Sequence, residues 1–385
     1  MAESLRVGLI TPGFSASEED WCIPALLHLV RELARHNEVH VFTLRYPHCR
    51  DTYSVYGATV HAFGGAQIVG RGRLLLMGRA LVSIVDQGRC RPFDVLHSLW
   101  ADEPGFLAVT AGRLLGVPAI VSLLGGELVG LPDIGYGGQL SRSGRWLVRL
   151  ALHGATRVTV GSTSLRRLAQ PHVSPDRLLR IPLGVDTGLF RPGSGPANPT
   201  PLVEGKIKLL HVASLIPVKD QATLLRALSR VVTQAPCVHL HVVGEGPLRG
   251  YLESLAESLG VAAYVTFHGA VSHERLPAYY RAADLCVLTS RYESQGMVTL
   301  EAAACARATV GTAVGLLPDL SPATRTVPVG DARALAEALL TTLQDPQAAV
   351  AMSQASLETV EAKYRLERML EELYAVYAEL SATRW

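Results

Sequence analysis

Glu293 and Glu301 stand eight residues apart in RYESQGMVTLEA, residues 291–302, with Gly296 between them. Two carboxylates so placed suit a ligand rich in hydroxyls, one gripping from a loop and the other from a helix leaning back toward its N-terminus. A helix starting near Met297 leaves backbone N–H groups around Gly296, Met297 and Val298 free to meet an anion. Gly296 lets the backbone come close to a ligand with no Cβ in the way. Lys219, one of only four lysines, sits in LLHVASLIPVKDQATLLRAL where a strand-like run turns into a helical one. A cation there suits the charge of a leaving diphosphate. Plainer readings exist: glutamates near a helix start favour the positive end of its dipole, and Lys219 is a solvated side chain.

The elements that must hold these residues are legible as an alternation. Residues 284–289 read as a short buried strand, so Glu293 falls in the loop beyond its carboxyl end, where open parallel sheets bind ligands. From RVGLITPG onward, strand-like runs (EVHVFTL, ATVHAF, DVLHSLW, PAIVSLL, ATRVTVGS) alternate with helical ones such as IPALLHLVRELARH, predicting βαβ units and a parallel sheet. RPGSGPANPTPLVEG, residues 191–205, breaks the pattern as a linker. The alternation then restarts at KIKLLHVAS. The expected architecture is α/β, with a Rossmann-like domain over 1–190, a second over 206–365, and a strandless helix over 366–385 that packs back on the first. Two such domains place the natural binding site in a cleft between them.

Bulk properties narrow the class. At 385 residues, with 48% hydrophobic and 18% charged residues, the chain is globular and suits two domains. A net charge of +2 makes no electrostatic demand for nucleic acid. Up to Val185 there are 19 Arg, no Lys and 14 acidic residues; the remainder has 17 basic and 20 acidic. The six cysteines form no C-x-x-C pair, and Cys237, Cys286 and Cys305 read as buried thiols, favouring a reducing, cytoplasmic compartment. No signal peptide, membrane span or metal-ligand cluster is expected.

With these residues in hand, the chain resembles the family-4 retaining glycosyltransferases of GT-B fold. IPLGVDTGLFRP, VASLIPVKD, VVGEGP and ESQGMVTLEA follow the order of that family's landmarks, the last as its E-x7-E motif. The resemblance implies a nucleoside-diphosphate sugar as donor, a glycan, lipid-linked or small-molecule acceptor, and no metal. It assigns Glu293 to the donor sugar, Glu301 to the ribose, and Gly296, Met297 and Val298 to sugar and phosphate. Lys219 would balance the leaving diphosphate, Val271 would lie near the base, and Gly13 would approach the diphosphate from the first domain. Gly125, Gly126 and Glu127 in IVSLLGGELVG would serve the acceptor side.

Two departures stand out. Ser214 replaces a customary arginine in the diphosphate turn, with Arg291 as the candidate substitute. Leu124 replaces a histidine near the reacting sugar, and leucine neither donates nor accepts a hydrogen bond. His97, at another strand end expected to face the cleft, is the candidate catalytic replacement; its alternative is an ordinary strand-end histidine. Arg71, Arg73, Arg79, Arg89 and Arg91 flank a broad apolar face that suits either an anionic membrane or packing on the sheet. Competing functions are a nucleotide-sugar epimerase of the same fold and a catalytically silent sugar-nucleotide-binding protein. A dinucleotide dehydrogenase is disfavoured, since no strand leads into G-x-G-x-x-G.

Overall fold

The computed structural model describes residues 4–20, 22–66, 68, 70–193, 202, 203 and 205–382. The chain forms two compact units, one of Met1–Leu183 with Glu367–Trp385 and one of Gly184–Leu366. The division falls a few residues before the expected boundary at 190. Most of the expected linker over 191–205 lies outside the described residues.

The first unit contains β1 (Arg6–Gly13), α1 (Pro24–Ala34), β2 (Glu38–Tyr46), β3 (Arg50–Val55), β4 (Ala58–Phe63), α2 (Arg71–Cys90), β5 (Val95–Leu99), α3 (Glu103–Leu115), β6 (Ala119–Leu123), α4 (Arg142–Gly154), β7 (Arg157–Val160), α5 (Thr163–Ala169) and β8 (Leu178–Arg180). Its sheet runs β3-β4-β2-β1-β5-β6-β7-β8, parallel except at β3. β3 joins β4 through Tyr56 and Gly57, whose φ angles of 46° and 83° are those of a two-residue hairpin. Its sequence, RDTYSV, is largely exposed and lacks the apolar signal of the buried strands.

The second unit contains β9 (Ile207–Val212), α6 (Gln221–Val232), β10 (Val238–Val243), α7 (Arg249–Ser258), β11 (Val265–Gly269), α8 (Leu276–Ala282), β12 (Leu285–Leu288), α9 (Met297–Ala304), β13 (Thr309–Thr312), β14 (Thr324–Val327), α10 (Ala332–Gln344) and α11 (Pro346–Lys363). All six strands are parallel, in the order β11-β10-β9-β12-β13-β14. This is the doubly wound order, whose direction reverses between β9 and β12. β10 and β12 are buried along their whole length, as strands covered by helices on both faces must be.

α12 (Leu366–Ala382) returns to the first unit and fastens there through polar groups as well as apolar ones. Tyr374 Oη accepts from Asn37 Nδ2 at 2.8 Å, and Arg157 pairs with Glu379. Tyr377, fully buried, hydrogen-bonds His97 Nδ1 at 2.7 Å, while His97 Nε2 meets Ser122 Oγ at 2.7 Å. Tyr377→Phe therefore leaves one nitrogen of a buried imidazole without a partner, at a cost of about 1–3 kcal/mol. The expected result is a lower urea midpoint for the first unit with nucleotide affinity unchanged, measured by fluorescence-detected unfolding and by calorimetry.

Candidate active site

β9 and β12 lie side by side, pairing Leu209 with Leu285 and Leu210 with Cys286, so the loops that follow them meet at the switch point of the second sheet. The β9 loop makes one short turn, Pro217–Lys219, then Asp220 caps α6 in a left-handed conformation, φ 48°. Its Oδ1 accepts from Thr223 N at 3.2 Å and its Oδ2 from Thr223 Oγ1 at 2.7 Å. The β12 loop is laced to this turn: Arg291 N donates to Val218 O at 2.8 Å, and Thr289 Oγ1 to Lys219 O at 2.9 Å. Gly244 and Gly246 of VVGEGP press on the other side. A Cβ on either would stand 2.0 Å from Ala213 O or 2.5 Å from Leu215 O. Two stretches distant in sequence thus share one backbone packing surface.

On this platform Lys219 Nζ donates to Glu293 Oε1 at 2.5 Å, and Ser290 Oγ donates to the same oxygen at 2.6 Å. Their side chains are 23% and 11% exposed, so the pair is partly shielded but reachable. Lys219 and Glu293, expected to contact different parts of a ligand, are paired with each other. Ser214 is exposed and lends only its carbonyl, which accepts from Gln221 Nε2 at 3.0 Å. Arg291 is half-buried on the same loop.

α9 begins at Met297, with Gly296 in the left-handed region at φ 77° just before it. Gly315 crosses the loop closely, where a Cβ would stand 2.3 Å from Gln295 O and 2.8 Å from Glu293 Cβ. Met297 and Val298 remain half-buried at the head of the helix. Glu301, one turn in, is 7% exposed and held by side chains that carry no local sequence signal for the task. Tyr280 Oη donates to its Oε2 at 2.8 Å and His273 Nε2 lies 3.0 Å from its Oε1. Burial, then the neighbouring Glu301 charge, push the Tyr280 phenol pKa far up, so it stays a donor. Phe190, from IPLGVDTGLFRP, packs edge-on against both rings, 5.0 Å from His273 and 5.9 Å from Tyr280. Two lone-pair directions of Glu301 are occupied, and a carboxylate has about four. Val271 lies between β11 and α8, half-buried against the same apolar cluster.

Behind the platform, His211 is fully buried in β9. Its Nδ1 faces Val287 O at 2.9 Å and its Nε2 faces Gln221 Nε2 at 3.3 Å. Burial chiefly, with some help from the Lys219 charge, pulls its pKa down to about 4. The ring is therefore neutral, donating through Nδ1 and accepting through Nε2.

In the first unit several expectations change. His97 is not in a strand-end turn: it is 2% exposed inside β5, and burial pulls its pKa down to about 3. Its bonds to Tyr377 and Ser122 make it a fastening for α12 rather than a proton-transfer group. Glu127 is turned inward. Its Oε1 accepts from Leu124 N at 3.2 Å and Ala101 N at 3.3 Å, and its Oε2 from Gly125 N at 2.8 Å. Spent on backbone, it shapes its own loop and is not free for the acceptor contact expected of it. Burial, with further help from Asp102, pushes its pKa up to about 7; Asp102 itself rises to about 6, by burial first and Glu103 second. Gly125 backs onto Trp100, where a Cβ would stand 2.5 Å from Nε1, and Gly126 onto the Tyr136 ring. Trp100 itself has φ 85°, a strained backbone at the exit of β5. Gly13 ends β1, with room for a Cβ only 3.4 Å from Tyr46 Cβ. Cys286 and Cys305 are buried as expected, whereas Cys237, in the turn before β10, is exposed.

Two doubly wound parallel-sheet units, the second with a charged pair and a glycine-led helix at its switch point, define the GT-B class of glycosyltransferase fold. The chain matches the profiles "Glycosyl transferase 4-like domain" over residues 23–184 and "Glycosyl transferases group 1" over residues 206–345. It is 30% identical over 296 residues to the GDP-mannose-dependent alpha-(1-6)-phosphatidylinositol monomannoside mannosyltransferase of Mycobacterium tuberculosis, covering 72% of this chain and 74% of that one. The chain belongs to the family-4 glycosyltransferases. It is also 39% identical to the D-inositol 3-phosphate glycosyltransferase of Geodermatophilus obscurus, a match spanning 37% of this chain and 34% of the relative's length. Among solved structures, Anabaena HepE with UDP and glucose superposes with a TM-score of 0.76 at 17% identity, covering 97% of this chain and 100% of that one. Sucrose-phosphate synthase of Thermosynechococcus elongatus gives 0.77 at 21% identity, with 98% and 99% covered.

His211 supplies a pH signature of the platform. Its folded pKa lies below the ordinary 6.5, so its stabilising share is complete above that value and is lost as pH falls through about 4. The full loss is about 3 kcal/mol. Urea midpoints of the second unit should drop between pH 6.5 and 4, with a shallower slope in His211→Met.

Proposed function

We propose that the chain is a retaining glycosyltransferase that moves a sugar from a nucleoside-diphosphate sugar to a hydroxyl of a glycan, lipid-linked or small-molecule acceptor, without a metal ion. The observation that carries this reading is the Lys219–Glu293 pair at the β9/β12 switch point, beside the N-terminus of α9. In the reaction the bond from the anomeric carbon to the diphosphate oxygen breaks and its electron pair stays on the diphosphate. The acceptor oxygen bonds the anomeric carbon on the same face, and its proton ends on the diphosphate. Such a transition state is oxocarbenium-like, and stabilising the departing charge is the main contribution open to the protein.

Lys219 is the cation for that charge, with the N–H groups at Gly296, Met297 and Val298 as further donors. Once Lys219 turns to phosphate, Glu293 is released to a sugar hydroxyl; Ser290 remains as its anchor. Glu301, fixed by Tyr280 and His273, presents its remaining lone pairs to the ribose. Ser214, Val271 and Arg291 complete the donor side. The relatives named for inositol phosphate and phosphatidylinositol mannoside favour a cyclitol or its lipid as acceptor. Placement in the cytoplasm, with peripheral contact at the membrane, suits such a lipid. α2 supports that contact: Leu74, Leu75 and Val82 are 70%, 65% and 59% exposed, near Arg71 and Arg79. No helix among the described residues is long and apolar enough to cross a membrane.

Nucleotide release from UDP-glucose and GDP-mannose, with and without inositol acceptors, tests the reading. Lys219→Ala should lower turnover about 10²-fold. Glu301→Gln should weaken nucleoside-diphosphate binding about tenfold by calorimetry, and EDTA should leave turnover unchanged. Full turnover in both variants ends the site assignment; binding without release in the wild-type chain favours the silent binding protein. For α2, co-sedimentation with phosphatidylinositol-containing vesicles should fall in Leu74→Ser/Leu75→Ser, and equal binding by wild type and variant removes the membrane contact.

A further inference from the structure

α4 breaks the rules of a helix that only has to fold. Its buried side is ordinary: Leu147, Val148, Ala151 and Leu152 pack inward, and Ser141 caps the start by accepting from Gly144 N at 2.9 Å. The outer side is not ordinary. Arg142 and Arg145 occupy the first turn, where the helix dipole disfavours cations, and no acidic residue stands there to offset them. Arg149 follows one turn later, so Arg142, Arg145 and Arg149 repel one another along one face at spacings of three, four and seven. Arg142 and Arg149 form no hydrogen bond or ion pair among the described residues. Arg145 spends a single N–H on Gln139 O at 2.7 Å. Between them Trp146 is 58% exposed, its ring 6.0 Å from that of Phe106.

These residues border a groove of about 600 Å³, whose wall also includes His153 and His172 and holds no aspartate or glutamate. That volume lies within the ~300–1,000 Å³ usual for small-ligand sites. Like charges against a dipole, beside an exposed indole, are a local cost that the single Arg145 bond to Gln139 O offsets only in part. Such departures concentrate where a ligand supplies the missing partner.

We propose that this groove is a binding site for a phosphate group, gripped by Arg142 and Arg149 with Trp146 covering the apolar or ring part of the molecule that carries it. Arginine suits the role because its planar fork meets two phosphate oxygens at once. Arg145, pinned by Gln139 O, lies on the wall of the same groove. The site belongs to the first unit alone and stands apart from the nucleotide reading of the second. The phosphate comes either from a soluble phosphomonoester or from a phospholipid headgroup.

The test compares the intact chain with Arg142→Gln/Arg149→Gln and with Trp146→Ala, all changes at exposed positions. The probes are glycerol 3-phosphate by calorimetry, and phosphatidylinositol in phosphatidylcholine vesicles by co-sedimentation at two salt concentrations. UDP and GDP binding on the same preparations checks that the second unit is intact and tests its own assignment separately. The double variant should lose at least tenfold in affinity for whichever probe binds, and Trp146→Ala a smaller factor. Loss confined to glycerol 3-phosphate assigns a soluble ligand; salt-sensitive loss confined to vesicles assigns a headgroup. If neither probe binds the wild-type chain, or if the double variant binds as tightly, the proposal is overturned.

Discussion

The neighbouring of β9 and β12 is the constraint on which the rest of the second unit depends. The two strands are separated by some seventy residues of chain containing β10, β11 and three helices, yet they pair directly because the sheet winds outward twice from β9. Only that reversal leaves a gap where helices on the two faces diverge, and only there do two carboxyl-end loops face one another. The Lys219–Glu293 contact, the lacing of Arg291 N to Val218 O and the bond of Thr289 Oγ1 to Lys219 O all follow from this one adjacency. Without it, Lys219 is a lysine at the wrong end of a helix.

The two units spend their buried carboxylates differently. Glu301 is fixed by side-chain donors, which leaves part of its accepting capacity open. Glu127 is fixed by backbone N–H groups from Ala101, Leu124 and Gly125, and so becomes part of the loop's own framework. The first arrangement orients a carboxylate toward something else; the second turns the carboxylate into scaffolding. The pKa shift at Glu127, upward to about 7, records how little solvent that scaffolding retains.

What was legible in the sequence had a local cause. Runs such as VHLHVV and LCVL declare buried parallel strands because both faces are covered, and the start of α9 at Met297 follows from Gly296. What was not legible depended on contacts across the fold. Nothing near Glu301 in sequence announces Tyr280 or His273, and nothing in DVLHSLW announces that His97 bonds a tyrosine 280 positions later. β3 escaped because its hairpin turn is Tyr-Gly rather than Asn-Gly and its strand is polar. Cys237 misled because apolar neighbours in sequence do not bury a residue placed in the turn ahead of its strand.

The ends of the second unit have a consequence of their own. Val185 N donates to Tyr364 O at 2.8 Å and Leu366 N to Val185 O at 3.0 Å, so the chain enters and leaves that unit at one bonded spot. Gly184 is needed there, since a Cβ would stand 2.4 Å from Leu366 Cα. Gly184–Leu366 is thus a continuous insertion with joined ends, set within a host whose own chain resumes at Glu367. Adjacent ends are the condition under which a segment can be cut out, expressed alone, or exchanged for a homologous one without stretching the host.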